Sequence, residues 1–172
     1  MDAAMSGEKP SSGPFVLLGT DGVPRSLSEP TGGPLLVAFF KTTCPTSELA
    51  FAYLERLHQV YGRQGGRPGG RQGLQVWGVS QDALDETLAF AVDQGVTFPV
   101  LLDAGWDASI AYGIETVPTM YLRNGSGDVV FTSISFVKDE LNEMARLIAG
   151  QLGAPAVVIA PADDGKPPFK PG

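Results

Sequence analysis

Leu35-Leu36-Val37-Ala38-Phe39-Phe40-Lys41-Thr42-Thr43-Cys44-Pro45-Thr46-Ser47 is the stretch on which the reading of this chain turns. Its first six residues are apolar without interruption, and Val37, Phe39 and Phe40 are β-branched or aromatic, which suits a strand buried on both faces in the middle of a sheet. Lys41 ends the run. Pro45 fits the first position of a helix, where its missing N–H costs nothing, and Glu48 adds negative charge to the first turn. Cys44, the single cysteine of the chain, is therefore expected at a strand-to-helix turn, at the N-terminus of the helix. Unsatisfied amide N–H groups and the positive end of the helix dipole stabilise a thiolate over a thiol there, so Cys44 reads as a nucleophile. The competing reading, an inert buried cysteine, fits less well because Cys44 lies between Thr43 and Pro45, outside the apolar run.

Working outward, residues 48–61 carry Leu49, Tyr53, Leu57 and Val60, with Leu54 and Tyr61 alongside, the stripe of a helix packed on a sheet and ending by Gly62. The glycine- and arginine-rich run 62–73 cannot hold a helix or a central strand and is expected to be a surface insertion. A strand follows at 74–80. A helix capped by Ser80 or Asp82 is expected over 83–94 and closes at Gly95. Pro99 assigns the strand 98–102 to an edge or a strand start. A short helix at 106–112 stops at Gly113, strands 115–122 and 129–134 are joined by the turn chemistry of 123–128, and a last helix covers 138–149. Upstream, 15–18 and 23–27 read as a hairpin. Residues 1–13 are expected as a disordered N-terminal tail, 14–152 as the domain, and 153–172, rich in Pro, Asp, Gly and Lys, as a C-terminal tail in which 157–159 alone packs back.

Composition sets the outer bounds. In 172 residues, 12 Lys and Arg are outnumbered by 19 Asp and Glu, which argues against nucleic acid as a partner, since neutralising phosphates needs a dense basic face. The N-terminal residues lack the pattern of a secretory signal and no apolar run approaches a membrane span, so the expectation is a cytoplasmic protein without a membrane partner. One cysteine permits no internal disulfide. One Cys and the single histidine, His58, cannot complete a four-ligand zinc site, and neither a phosphate loop nor a Gly-x-Ser-x-Gly elbow occurs, so neither a metal nor a cofactor is expected. His58 lies fourteen residues along the helix from Cys44, about 21 Å away, too far to serve as its base.

Three segments together resemble the redoxin branch of the thioredoxin fold, which holds alkyl hydroperoxide reductase, thiol-specific antioxidant and thioredoxin-like proteins. They are the hairpin Phe15 to Leu27, the strand and turn Val37 to Ser47, and Tyr112 to Leu122 followed by Gly127-Asp128-Val129-Val130. The resemblance implies an α/β, thioredoxin-like three-layer fold, with a mixed central sheet, helices on both faces and an N-terminal hairpin. It also implies that Pro118 is cis and faces Cys44, leaving the backbone of Thr116 and Val117 to pair with an extended substrate.

Departures from the family's pattern bear on function. Thioredoxins place a second, resolving cysteine where this chain has Ser47, and a hydroxyl cannot resolve a mixed disulfide, so a dithiol cycle within one chain is excluded. The buried acid of thioredoxins corresponds to Ala38. Peroxiredoxins need a Thr or Ser where Lys41 stands, and an arginine over the thiolate for which Arg123 is the one candidate. The expectation is thus a thiol-dependent redox protein in which Cys44 attacks protein disulfides or peroxides and an external thiol reductant restores it. Thr43, Ser47 and the amides near Thr46 and Ser47 would hydrogen-bond the thiolate, Pro45 would start the helix, and Thr116, Val117 and Pro118 would form the groove. Two alternatives stand beside it: a non-catalytic binding module that keeps the groove, and a dithiol oxidoreductase whose second cysteine has been replaced by Ser47 through engineering.

Overall fold

A computed structural model describes residues 15–62 and 72–172. The expected tail 1–13 and most of the expected insertion at 62–73 lie outside the described residues.

The all-apolar strand becomes β3 (Leu35–Phe40), every residue of it buried. It sits at the centre of a five-stranded sheet of order β5-β4-β3-β6-β7, with β4 (Gln75–Ser80), β5 (Val100–Leu102), β6 (Thr119–Arg123) and β7 (Val129–Ile134). Pairing is parallel from β3 through β4 to β5 and antiparallel from β3 through β6 to β7, as the early alternation and late hairpin require. Pro99 precedes edge strand β5, where no neighbour needs its missing N–H. The hairpin of β1 (Val16–Leu18) and β2 (Pro24–Ser26) is present and docks on that edge through Thr20 N donating to Val100 O at 2.8 Å.

The two faces of β3 bury into different cores. Leu36, Ala38 and Phe40 pack with residues of α1 (Pro45–Tyr61), α4 (Lys138–Leu152) and Phe90 of α2 (Leu84–Asp93). Leu35, Val37 and Phe39 pack under α3 (Asp107–Ala111), Leu27, Phe15 and Leu17. Helices thus cover both faces. The aromatic centre of the first core is Phe51 of α1, whose ring lies 4.4 Å from Phe40, 5.1 Å from Phe90 and 5.7 Å from Phe98, centroid to centroid.

Three expectations need correction. Val60 was placed on the buried stripe of α1 but is 37% exposed, because the buried face is centred on Ala50, Leu54, Leu57 and Tyr61, each pair one turn apart at 3.6 residues. No side chain caps α2: Ala83 is its N-cap, and Asp82 and Ser80 bond elsewhere. The largest correction concerns 153–172, expected as a tail. Gly153 closes α4 in the left-handed conformation at φ +63°, and the chain then crosses α1 and α4, with Ile159 and Ala160 each 2% exposed.

The reason lies in side chains of the two helices, which satisfy the backbone of this segment as a strand would. Asn142 Oδ1 accepts from Ile159 N and Ala160 N, and its Nδ2 donates to Ala160 O. Tyr61 OH donates to Pro155 O and accepts from Val157 N, while Arg56 donates to Ile159 O. Asp164 accepts from both Lys138 Nζ and Tyr53 OH, at 2.5 Å each. Beyond it, β9 (Phe169–Lys170) pairs antiparallel with β8 (Phe136–Val137).

Candidate functional site

At the end of β3 the chain leaves the sheet and makes a turn closed by Cys44 N donating to Lys41 O at 3.2 Å. Thr42 N donates to Asp82 Oδ2 at 2.7 Å, so the loop after β4 pins the turn before α1. Cys44 is the N-cap of α1, with φ −92° and ψ 114°, and Pro45 opens the helix. Its thiol is half-buried and free. Sγ accepts from Ser47 N and donates to Val117 O, each at 3.5 Å.

The residues singled out from the sequence divide around this sulfur. Thr43 is exposed and Pro45 likewise; Thr46 is buried, but its hydroxyl donates to Pro171 O at 2.5 Å, away from Cys44. Of the donors proposed for the thiolate, the Ser47 amide is the one in place. The Ser47 hydroxyl is fully buried without a hydrogen-bond partner among the described residues. Across the sulfur stands the loop before β6, where the Val117–Pro118 peptide is cis and Pro118 is buried. The Thr116 carbonyl accepts from Thr119 Oγ1 at 2.5 Å and Pro118 O from Ser135 N at 2.8 Å, which fix this loop.

Two residues stand away from the site, Arg123 by the sheet register and His58 by its place near the C-terminal end of α1. Arg123 pairs with Leu35, five residues from Phe40 and about 17 Å down the strand. It is 5% exposed and donates to the carbonyls of Leu27, Glu29 and Gly127, tying the turn of the β6–β7 hairpin to the N-terminal segment. Burial holds its guanidinium below the usual arginine range. It cannot polarise a peroxide at Cys44. His58 stands edge-on to Phe98 at 5.9 Å, and its Nδ1 is buried without a partner among the described residues.

Sequence reasoning missed three features. Asp82 read as a helix cap because it precedes a helix, and nothing local signals its bond to Thr42. Trp106, 42% exposed, lies with its ring 5.0 Å from Lys41 Nζ and donates through Nε1 to Gln81 O. It therefore flanks the start of the turn that carries Cys44. The third is the segment 166–172: Gly172 N donates to Ser135 Oγ at 3.1 Å, and a side chain at Gly172 would run into the Val117 carbonyl and the Thr116 methyl. Among the described residues no group of three or more His, Cys, Asp or Glu could hold a metal ion, and no helix is long and apolar enough to cross a membrane.

A family model described as AhpC/TSA matches residues 13–132, which include the hairpin, the Cys44 turn and the loop before β6. The chain belongs to the AhpC/TSA family. Among relatives of this AhpC/TSA chain, the thiol-disulfide oxidoreductase ResA of Halalkalibacterium halodurans is 31% identical over 117 residues, covering 67% of this chain and 62% of that protein. The chain thus spans about 62% of that relative's length. ResA of Bacillus subtilis is 29% identical over 119 residues, covering 67% of this chain and 61% of that protein. Among solved structures, a Chlorobium tepidum chain described as the thiol:disulfide interchange protein DsbE superposes with a TM-score of 0.70 at 23% identity, covering 81% of this chain and 93% of that one. A secreted Mycobacterium tuberculosis disulfide oxidoreductase reaches 0.64 at 15% identity, covering 80% and 96%. These likenesses are of fold, and the fold is thioredoxin-like.

Proposed function

We propose that this AhpC/TSA chain is a thiol-disulfide exchange protein that works through Cys44 alone. The observation that carries the proposal is the setting of one sulfur: half-buried, at the N-cap of α1, with the Ser47 amide on one side and the Val117 carbonyl on the other. The amide and the helix dipole favour negative charge on Sγ, and the loop Thr116-Val117-Pro118 supplies backbone against which an extended substrate can lie. The thiol-disulfide oxidoreductase relatives support the exchange chemistry, and the single cysteine of this chain supports its passing through Cys44.

In the first step the Cys44 thiolate attacks one sulfur of a protein disulfide. A new S–S bond forms to Cys44, the substrate S–S bond breaks, and the second substrate sulfur leaves as a thiolate. Since position 47 is serine, whose hydroxyl cannot attack the mixed disulfide, an external thiolate must attack the bond. Attack on the substrate sulfur expels the Cys44 thiolate and leaves the reductant disulfide-bonded to the substrate. Attack on Cys44 Sγ expels the substrate thiolate and leaves the reductant on Cys44, which a second reductant thiolate frees as the reductant's own disulfide. Peroxides fit less well as substrates, because Arg123, the arginine the sequence offered for them, sits at the far end of β3.

The test is turnover of a disulfide-bonded peptide in the presence of a small thiol. The full protein should accelerate reduction and Cys44→Ser should not. Equal rates for the two would overturn the proposal and favour a binding module.

A further inference from the structure

The groove that a substrate would use to reach Cys44 is already occupied by the chain itself. Gly172 packs on the Val117 carbonyl, the same oxygen that accepts from the Cys44 thiol. Four ties hold the stretch leading to it: Lys138 N to Pro168 O at 3.0 Å, the β8–β9 pairing, Thr46 Oγ1 to Pro171 O, and Gly172 N to Ser135 Oγ. We propose that residues 166–172 are a releasable strap, and that the surface beneath, formed by Thr46, Thr116, Val117, Ser135 and β8, is a docking site for an extended, proline-containing peptide segment that competes with it.

The strap differs from the segment that anchors it. Residues up to Asp164 are fastened by buried groups: Ile159 and Ala160 in the core, and Asp164 against Lys138, itself 4% exposed, and Tyr53. Beyond Gly165 the chain buries almost nothing, Phe169 being 55% exposed. Pro167, Pro168 and Pro171 have no N–H to give a neighbouring strand, which confines the ladder with β8 to two residue pairs. A stretch with few buried apolar contacts and only a handful of hydrogen bonds opens at low free energy, while its anchor keeps it near. Prolines also hold it extended when free, so little entropy is lost on docking. A substrate segment paired along the Val117 loop would need the place of Pro171 and Gly172, and the rate at Cys44 would scale with the fraction of molecules whose strap is off.

This inference rests on Cys44 being the reacting group, and the test separates the two. Alkylation of Cys44 by iodoacetamide reports access to the thiol and needs no turnover. Deletion of residues 167–172 should raise the alkylation rate about fivefold or more, the factor expected when a few net hydrogen bonds stop holding a closed state. The peptide Lys-Pro-Pro-Phe-Lys-Pro-Gly, added in trans at about millimolar concentration to match a tethered segment, should slow it again. Should the deletion unfold the protein, as a thermal melt would reveal, Thr46→Val decides: it removes the bond to Pro171 at constant chain length and should speed alkylation severalfold. Rates unchanged within about twofold in a folded deletion variant, or in Thr46→Val, would overturn the strap. Faster alkylation without exchange activity would support the strap and remove the redox reading.

Discussion

Cys44 and Asp82 show how one side chain can depend on a residue far away in sequence. The turn that presents Cys44 is tethered by the carboxylate of Asp82, which accepts from the Thr42 amide. A charged acceptor on a partly buried amide is worth about 1–3 kcal/mol. Asp82→Ala should therefore lower stability by that amount in urea denaturation, and Asp82→Asn by less, since the amide oxygen can still accept. Equal stability of Asp82→Ala and wild type would show that the tether contributes nothing. Cys44 itself was legible from the sequence, because apolar strand, cysteine and proline at the first helical position are local signals. Asp82 was not: its role depends on a contact forty residues away, and its place before a helix suggested a cap.

The helix α1 makes two uses of its first turn. Pro45 and the Cys44 cap set its start, while Thr46 and Ser47 are buried under the groove. Ser47 leaves a fully buried hydroxyl without a partner among the described residues, so a cysteine of similar size should fit there. We expect Ser47→Cys to fold and, on mild oxidation, to form an internal disulfide with Cys44, seen in intact mass as the loss of two hydrogen atoms. Failure to close that bond would mean the first turn is too rigid or wrongly aimed for dithiol chemistry. Further along, Phe51 meets Phe40, Phe90 and Phe98, and Phe51→Ala should cost about 3–5 kcal/mol by chemical denaturation. The existence and order of such elements could be read from apolar periodicity. Their exact buried faces could not, as Val60 shows: one residue before buried Tyr61, it is turned about 100° around the helix from it, at the margin of the face centred on Ala50, Leu54, Leu57 and Tyr61.

For the whole molecule the segment 153–172 is where the sequence misled most. Its composition is that of a solvated tail, and the groups that fasten it, Asn142, Tyr61, Arg56, Lys138 and Tyr53, belong to α1 and α4 and carry no local signal of that contact. The Asp164 clasp gives this packing a pH dependence. Lys138, then Tyr53 and the Lys166 amide, hold the Asp164 carboxyl below the usual aspartate range. A depressed folded value means the clasp contributes fully above about pH 4 and weakens as pH falls below it. Burial, with the Asp164 bond, pushes Tyr53 up to about 12, so its contribution persists below the unfolded value near 10 and is lost as pH rises toward 12. Hydrogen exchange of residues 155–164, corrected for intrinsic rates, should accelerate at about pH 3 relative to pH 6. No change would show that Asp164 does not govern the packing.

The whole arrangement converges on one sulfur without an internal partner, and its most direct test is intact-mass analysis of the reduced protein after reaction with a peptide carrying a pyridyl disulfide, whose thione leaving group does not attack back, in the absence of free thiol. A mixed disulfide on Cys44 that persists until a thiol is added is the expected result, since nothing within the chain can resolve it. An unmodified protein, or an adduct that vanishes without added thiol, would contradict it.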